Sequence, residues 1–464
     1  MGGISNRVSK FYTTAKEGQW SVLVPALLIF FSMIKEIKVA DPFLYKYLSE
    51  YQNFTDTTLN GEIYPYFAYS CLIATIPIFI FTDILLYKPT MYLEVLGQIV
   101  YRFFLMSTND IFSQQMGHAM WGISVASEIG SSSYIYGKFE KDQYKKITSW
   151  SRAAAMAGRT GGYIFAQLLI LTHIGNYRTL NTITFYILCV ALVSCFLLPR
   201  VSWKQIVNNI AVEQGKKISN KVYAPLPISF SEYVLYRLKK LKSDFIKTYS
   251  NPFILKWSLW WAMAICMSYQ VRLYYQTLLG QVQVGDDNPL NGFVEAIFSF
   301  IATIFIILTN RFPIDWDKWG ETVLVVISAL DAVFLVLFAQ TDSVYVMYFC
   351  YIFYRTFFQV MTTIAQWNIA KKMVTDSYGL VFGVDSFIAV IMQSLLVRIV
   401  TDKSGLGMPV REAFIVYGAL HGLTGLIFFI SVMYTFISYC RRGKVTPENI
   451  LSTDAQDIEV DEDK

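Results

Sequence analysis

The sequence predicts an all-α polytopic membrane protein of twelve transmembrane helices in a 6+6 arrangement. Three observations lead there. Of the 464 residues 54% are hydrophobic and only 16% charged, with a mean hydropathy of +0.41, whereas about a quarter of the residues of a soluble domain carry charge. Apolar stretches of about 20 residues, enough to span hydrocarbon, recur along the chain between short polar turns. One long hydrophilic segment, about residues 200–250, divides six such stretches from six, as two parallel repeats about an axis along the membrane normal would require.

Taken in order, residues 1–19 form a basic cytoplasmic amino terminus holding Arg7, Lys10 and Lys16. The first apolar run is longer and bulkier than a cleavable signal and reads as an uncleaved helix. The amino-terminal bundle covers 20–199, with spans at 20–38, 64–87, 90–108, 110–136, 152–173 and 179–199. The central cytoplasmic loop covers 200–250. The carboxy-terminal bundle covers 251–440, with spans at 252–279, 290–309, 320–340, 343–369, 377–401 and 411–438. Residues 441–464 form an acidic, disordered cytoplasmic tail that includes Asp461, Glu462 and Asp463. The fourth, seventh, tenth and eleventh spans carry polar residues in mid-span, which places them against an aqueous cavity.

Net charge is +5, from 39 Lys plus Arg against 34 Asp plus Glu. In a soluble chain a basic excess suggests nucleic acid; here no nucleic-acid partner is expected, and the partner is the lipid bilayer. With the amino terminus inside, 27 of the 39 basic residues fall in cytoplasmic segments and four, Lys46, Arg178, Lys403 and Arg411, in the opposite loops. The positive-inside rule therefore puts both termini in the cytoplasm. The sequon Asn53-Phe54-Thr55 falls in the first outside loop, so Asn53 is the expected glycosylation site.

Cofactor and metal chemistry are not expected. The six cysteines stand singly, and His118, His173 and His421 are far apart in sequence. Phosphate-binding glycine loops, a serine nucleophile elbow and paired carboxylates at catalytic spacing are missing from the polar segments, so no catalytic residue is assigned and an enzyme is disfavoured. Charges inside the spans remain. Each costs about 2.5–3.5 kcal/mol at mid-membrane and needs a partner, water or a ligand. They are Glu128, Arg159, Arg272, Asp331, Arg355, Asp385 and Arg398, and each is either a ligand or gating group or half of a structural pair. At the turn between the second and third spans, Asp83 and Lys88 are a candidate gating pair.

Several stretches, in order, carry a resemblance: Asp41-Pro42-Phe43-Leu44 with Tyr47-Leu48, Ser132-Ser133-Tyr134-Ile135-Tyr136, Ser151-Arg152-Ala153-Ala154, Trp257-Ser258-Leu259-Trp260-Trp261 and Leu380-Val381-Phe382-Gly383-Val384. Over about residues 19 to 440 the chain resembles the reduced folate carrier and thiamine transporter family, a branch of the major-facilitator fold. The Asp83–Lys88 turn looks like a degenerate form of that fold's loop motif. The resemblance implies an integral membrane protein of the plasma membrane that carries a water-soluble vitamin by alternating access, with proton or organic-anion coupling.

The resemblance also implies site residues. Folate carriers place an arginine in the fourth helix and a lysine in the eleventh, and thiamine carriers a glutamate and a glutamine; Glu128 and Gln393 match the thiamine type, and Asp41 an acidic position of the first helix. Phe67, Ser131 and Arg159 stand where thiamine carriers have aromatic residues. Arg355 with Gln359 resembles a folate-carrier pair, Arg272 is an added cation, and Asp385 replaces an asparagine. Tyr134, Tyr269 and Tyr274 are the expected aromatic or hydroxyl contacts, and His118 is expected to be a neutral cavity-wall residue. Two acids and three arginines suit a zwitterionic or phosphorylated cargo better than bare thiamine. Folate, thiamine and other vitamins stay open, and the alternative is a membrane receptor that keeps the fold without transport.

Overall fold

The computed structural model of the chain describes residues 23–139, 141–203, 229–285, 289–311, 316–372 and 378–442. No strand occurs among them. Six long helices form the amino-terminal half: α1 (Leu23–Lys35), α2 (Pro65–Ile84), α3 (Lys88–Ser107), α4 (Ile111–Lys138), α5 (Lys141–Leu171) and α6 (Tyr177–Leu197). Then come α7 (Phe230–Tyr249) and the six helices of the second half: α8 (Pro252–Val282), α9 (Asn291–Arg311), α10 (Trp316–Gln340), α11 (Val344–Lys372), α12 (Tyr378–Leu396) and α13 (Val410–Arg442).

Each of the twelve expected spans thus holds a helix. Five stretches are long and apolar enough on composition alone to cross a membrane: Asp56–Thr82, Tyr177–Leu197, Trp319–Gln340, Gly383–Thr401 and Val410–Tyr434. Leu23–Lys35 and Asn291–Phe305 are apolar but shorter. Two elements differ from expectation. The fifth helix begins at Lys141, eleven residues before the apolar run, since nothing in the stretch after Lys141 breaks a helix. Part of the expected central loop is α7, whose start is fixed by a capping box between Ser229 and Glu232.

Local chemistry sets the other helix starts. Asp110 and Asn176 cap α4 and α6 by accepting from the backbone of Ser113 and Thr179, and Asn251 caps α8 just before Pro252. That bond holds the Asp110 carboxyl below the usual aspartate range.

Packing places the site. α5 packs on α9 and α2 on α12, across the two halves. The largest buried cluster is shared by both halves: Tyr47, Leu48, Tyr64 and Tyr101 meet Val271, Tyr274, Tyr351 and Phe414. At the other end the core separates into one cluster within the first half, around Tyr87, Tyr134 and Phe139, and one within the second, around Trp257, Trp261 and Ile364. The halves are welded at one end and part at the other.

Candidate functional site

A small cavity, about 50 Å³, lies where the halves meet and opens toward solvent. The first half lines it with Asp41, Leu44, Tyr64, Tyr101, Trp121, Arg159 and Tyr163, and the second with Arg272, Leu273, Tyr275, Gln276, Glu295 and Arg355. Asp41 opens a short helical turn after α1. Its carboxylate accepts from Arg102 of α3, which also donates to Asn181 at 2.9 Å, and its carbonyl accepts from Gln276 at 2.7 Å.

Most cations near this cavity are already neutralised. Lys35 pairs with Glu94 at 2.5 Å, and Arg159 with Glu36 at 2.6 Å. The remaining two guanidiniums differ. Arg355 donates to the Ser268 hydroxyl at 3.3 Å and lies 4.7 Å from the Phe298 ring centroid, but its buried Nε has no hydrogen-bond partner. Arg272, one turn after Ser268 on α8, forms no ion pair among the described residues. The nearby carboxylate Glu295 cannot serve them freely, because it accepts from the hydroxyls of both Tyr275 and Tyr351, the latter at 2.7 Å. Two adjacent cations without carboxylate partners in a largely apolar surround suit a ligand with negative charge.

Of the residues expected at the site, Asp41, Arg159, Arg272 and Arg355 line this cavity. Phe67 lies behind it, its ring 4.4 Å from Trp121. Glu128 is exposed on α4, within electrostatic range of Lys35, Arg159 and Tyr269. Tyr269, partly buried, is also within range of Arg272. Gln359 is partly buried one turn beyond Arg355 and outside the lining.

Tyr274 is fully buried, sharing a hydrogen bond with Thr401 at 2.8 Å. Gln393 is fully buried with both amide atoms unpartnered, while its carbonyl accepts from Gln270 at 3.0 Å. Tyr134 is placed far from the cavity, in the cluster at the parted end, with its hydroxyl donated to the Pro199 carbonyl at 2.7 Å. His118 is buried behind the lining, edge-on to Tyr101 and Trp121 and tilted against Tyr64.

Of the expected gating pair, Lys88 is among the described side chains. Lys88 is buried and donates to the carbonyls of Leu198 and Phe196, the latter at 3.1 Å. An ammonium at the carbonyl end of α6 gains from the helix dipole. The side chain of Asp83 lies outside the described ones. Asn53 is exposed, in a left-handed conformation at φ +59° that asparagine tolerates.

Several residues that line the cavity or pair with charges beside it escaped the sequence reading. Glu295 falls within the eighth expected span, and Glu94 and Arg102 within the third, so the cost of a charge in the membrane would have found all three. Tyr163, Tyr275 and Trp121 carry no such signal, since aromatic residues are frequent throughout the chain.

The welded end is closed by polar contacts between the halves. Lys403 pairs with Glu62 at 2.9 Å, Tyr69 donates to Asp402, Gln281 to Asp56 at 2.9 Å and Thr277 to Asn60 at 3.0 Å. At the other end of the interface Gly383 of α12 faces Phe79 of α2.

A family model described as reduced folate carrier matches residues 18–416. "Folate-like transporter 3" of Caenorhabditis elegans is 33% identical over 411 residues, covering 89% of this chain and 96% of that protein. "Thiamine transporter 1" of Homo sapiens is 31% identical over 453 residues, covering 90% and 91%. Among solved structures, a D-xylose-proton symporter superposes with a TM-score of 0.60 at 11% identity, covering 88% of this chain and 97% of that one. A POT family transporter in complex with a thioalcohol-conjugated peptide gives 0.59 at 14%, covering 88% and 95%. The chain therefore has the helical major-facilitator fold of these transporters.

Proposed function

We propose, since the chain belongs to the reduced folate carrier family, that it moves a water-soluble vitamin of the folate or thiamine class across the membrane by alternating access. The observation that carries this reading is the cavity lined by both halves and sealed at one end by contacts between them. Rocking of the halves about such a cavity exposes it to each side in turn. With both termini cytoplasmic, as the basic residues favour, the sealed end faces outward and Asn53 stands outside the plasma membrane. A non-transporting receptor has no support among the relatives, whose names are those of transporters.

The cargo that fits best carries both signs of charge. Arg272 and Arg355 suit a carboxylate or phosphate, and Glu128, beside Arg159 and Tyr269, suits a positive ring nitrogen. A zwitterionic or phosphorylated vitamin meets both requirements; bare thiamine meets one. Transport is coupled to a proton or to an exchanged organic anion, the latter drawing on the two arginines.

Uptake by the full chain in proteoliposomes tests the reading, with labelled thiamine, thiamine phosphate and a reduced folate. Saturable uptake of at least one is expected, and Glu128→Gln is expected to weaken the cationic cargoes. No saturable uptake of any of the three would overturn the carrier assignment.

A further inference from the structure

One helix belongs to neither bundle yet touches both. At the amino-terminal end of α7 the Phe230 ring meets Trp203 edge-on at 6.5 Å, and Val234 packs on the first half's cluster around Tyr134 and Phe139. At its other end the Tyr249 hydroxyl donates to Asp385 of α12 at 2.6 Å. Twenty residues of helix span roughly 30 Å. α7 is therefore a strap across the parted end of the molecule, fixed at one end to each half.

The strap is amphipathic, and only part of its apolar face is used. Leu235, Phe245 and Ile246 remain 52%, 42% and 55% exposed. Leu235, Lys239 and Ile246, at spacings of four and seven, fall on one stripe along the helix, and Lys239 and Lys247 are exposed. The α7 sequence holds Arg237, Lys239, Lys240, Lys242 and Lys247 against Glu232 and Asp244. Apolar residues flanked by lysines, with basic residues in excess, define a helix that lies in the headgroup region: the apolar side chains enter the acyl boundary and the lysine stems extend to the phosphates. Attraction of the excess cations selects anionic over zwitterionic headgroups.

We propose that α7 is an anionic-phospholipid-binding strap, anchored in the headgroup layer along Leu235, Lys239 and Ile246. The surface that binds lipid is then connected, through Tyr249 and Asp385, to the helix that packs on α2 across the two halves. Lipid composition at this face becomes a determinant of how firmly the halves are strapped.

Hydrogen exchange of the full chain in nanodiscs tests this without reference to cargo, so it stands or falls apart from the transport reading. The comparison is phosphatidylcholine alone against phosphatidylcholine with about a third phosphatidylserine. Amides of residues 230–249 are expected to exchange several-fold more slowly in the anionic discs, with the difference lost in high salt and in K239Q/K247Q. Equal exchange in the two lipids would overturn the proposal. Slowing that survives both high salt and the double substitution would also overturn it, because the anionic headgroup would then not be the partner. L235S/I246S, which keeps the charges, is expected to reduce the protection and so to separate insertion from surface attraction.

Discussion

Arg159 donates from both Nε and Nη2 to one carboxylate oxygen of Glu36, at 3.2 and 2.6 Å. The pair fastens α5 to the segment that follows α1, and it cancels a cation that sequence alone would have left free to bind cargo. Removing one partner leaves a poorly solvated charge, at a cost of about 3–5 kcal/mol in buried pairs. Arg159→Gln is therefore expected to lower the thermal unfolding midpoint of the detergent-solubilised protein markedly, and E36Q/R159Q to recover most of the loss. A double variant no more stable than R159Q would show that the pair is not the source.

Arg272 predicts the opposite pattern. Among the described residues it has no ion-pair partner to strand, so Arg272→Gln is expected to leave the unfolding midpoint unchanged or raised. Loss of a charged hydrogen bond to cargo is worth about 1.5–3 kcal/mol, so uptake of an anionic vitamin should fall at least tenfold. Uptake of all three vitamins at the unaltered rate would remove Arg272 from the site.

Gly383 of α12 packs directly on Phe79 of α2. A Cβ there would lie 2.4 Å from Cε2 and 2.5 Å from Cδ2 of Phe79. Gly383→Ala is expected to destabilise by about 1–3 kcal/mol through overpacking, and Phe79→Ala in the same chain to relieve part of it. Thermal midpoints of the two single variants and the double variant decide the matter.

Asp402 gives a pH prediction. Burial pushes its carboxyl up, but the hydroxyl of Tyr69, the amide and side chain of Ser404, and Arg398 outweigh burial and hold it below the ordinary value of 3.8. A carboxyl depressed in the folded state contributes stability that is complete above the unfolded value and lost as pH falls through the folded one. The difference in unfolding midpoint between the native chain and Asp402→Asn should accordingly stay constant from pH 7 to 5 and shrink only below 3.8. A difference that disappears by pH 5 would contradict the assignment.

Asn53 checks the orientation. If the welded end faces outward, expression in a glycosylating cell should give a band that enzymatic deglycosylation shifts, and Asn53→Gln should remove that shift.

How much could be read beforehand depended on whether a residue's role is fixed by its own chemistry or by its neighbours. All twelve helices could be placed from apolar runs, because the hydrocarbon thickness imposes a length on each. Arg159, Arg272 and Arg355 could be chosen because a charge in the membrane demands an account, and Asp41 only through the family resemblance. Which of those charges is spent on structure could not be read. Glu36 cancels Arg159 across more than 120 positions of sequence, and nothing in the spacing of the two announces it. Tyr134 shows the same difficulty from the other side, since a tyrosine in a matching motif can face a ligand or, as here, donate to a distant carbonyl. The amphipathic strap was hidden because its mixed composition resembles a polar loop unless the helical period is followed.

The lone guanidinium of Arg272 has an electrical consequence. An uncompensated charge that shifts within the membrane as the halves rock experiences the transmembrane voltage, at about 2.3 kcal/mol per elementary charge per 100 mV for a full crossing. The empty carrier and the carrier loaded with an anion then differ in charge, so voltage acts on them unequally. An anionic cargo would cancel part of the charge of Arg272 and Arg355 and so lessen the pull of the potential on the loaded carrier. Returning empty, it moves as a cation, and an inside-negative membrane would draw it toward the cytoplasmic side and resist its return. Resting potential would thereby act as a brake chiefly on one half of the cycle, favouring exchange of one anion for another over an empty return.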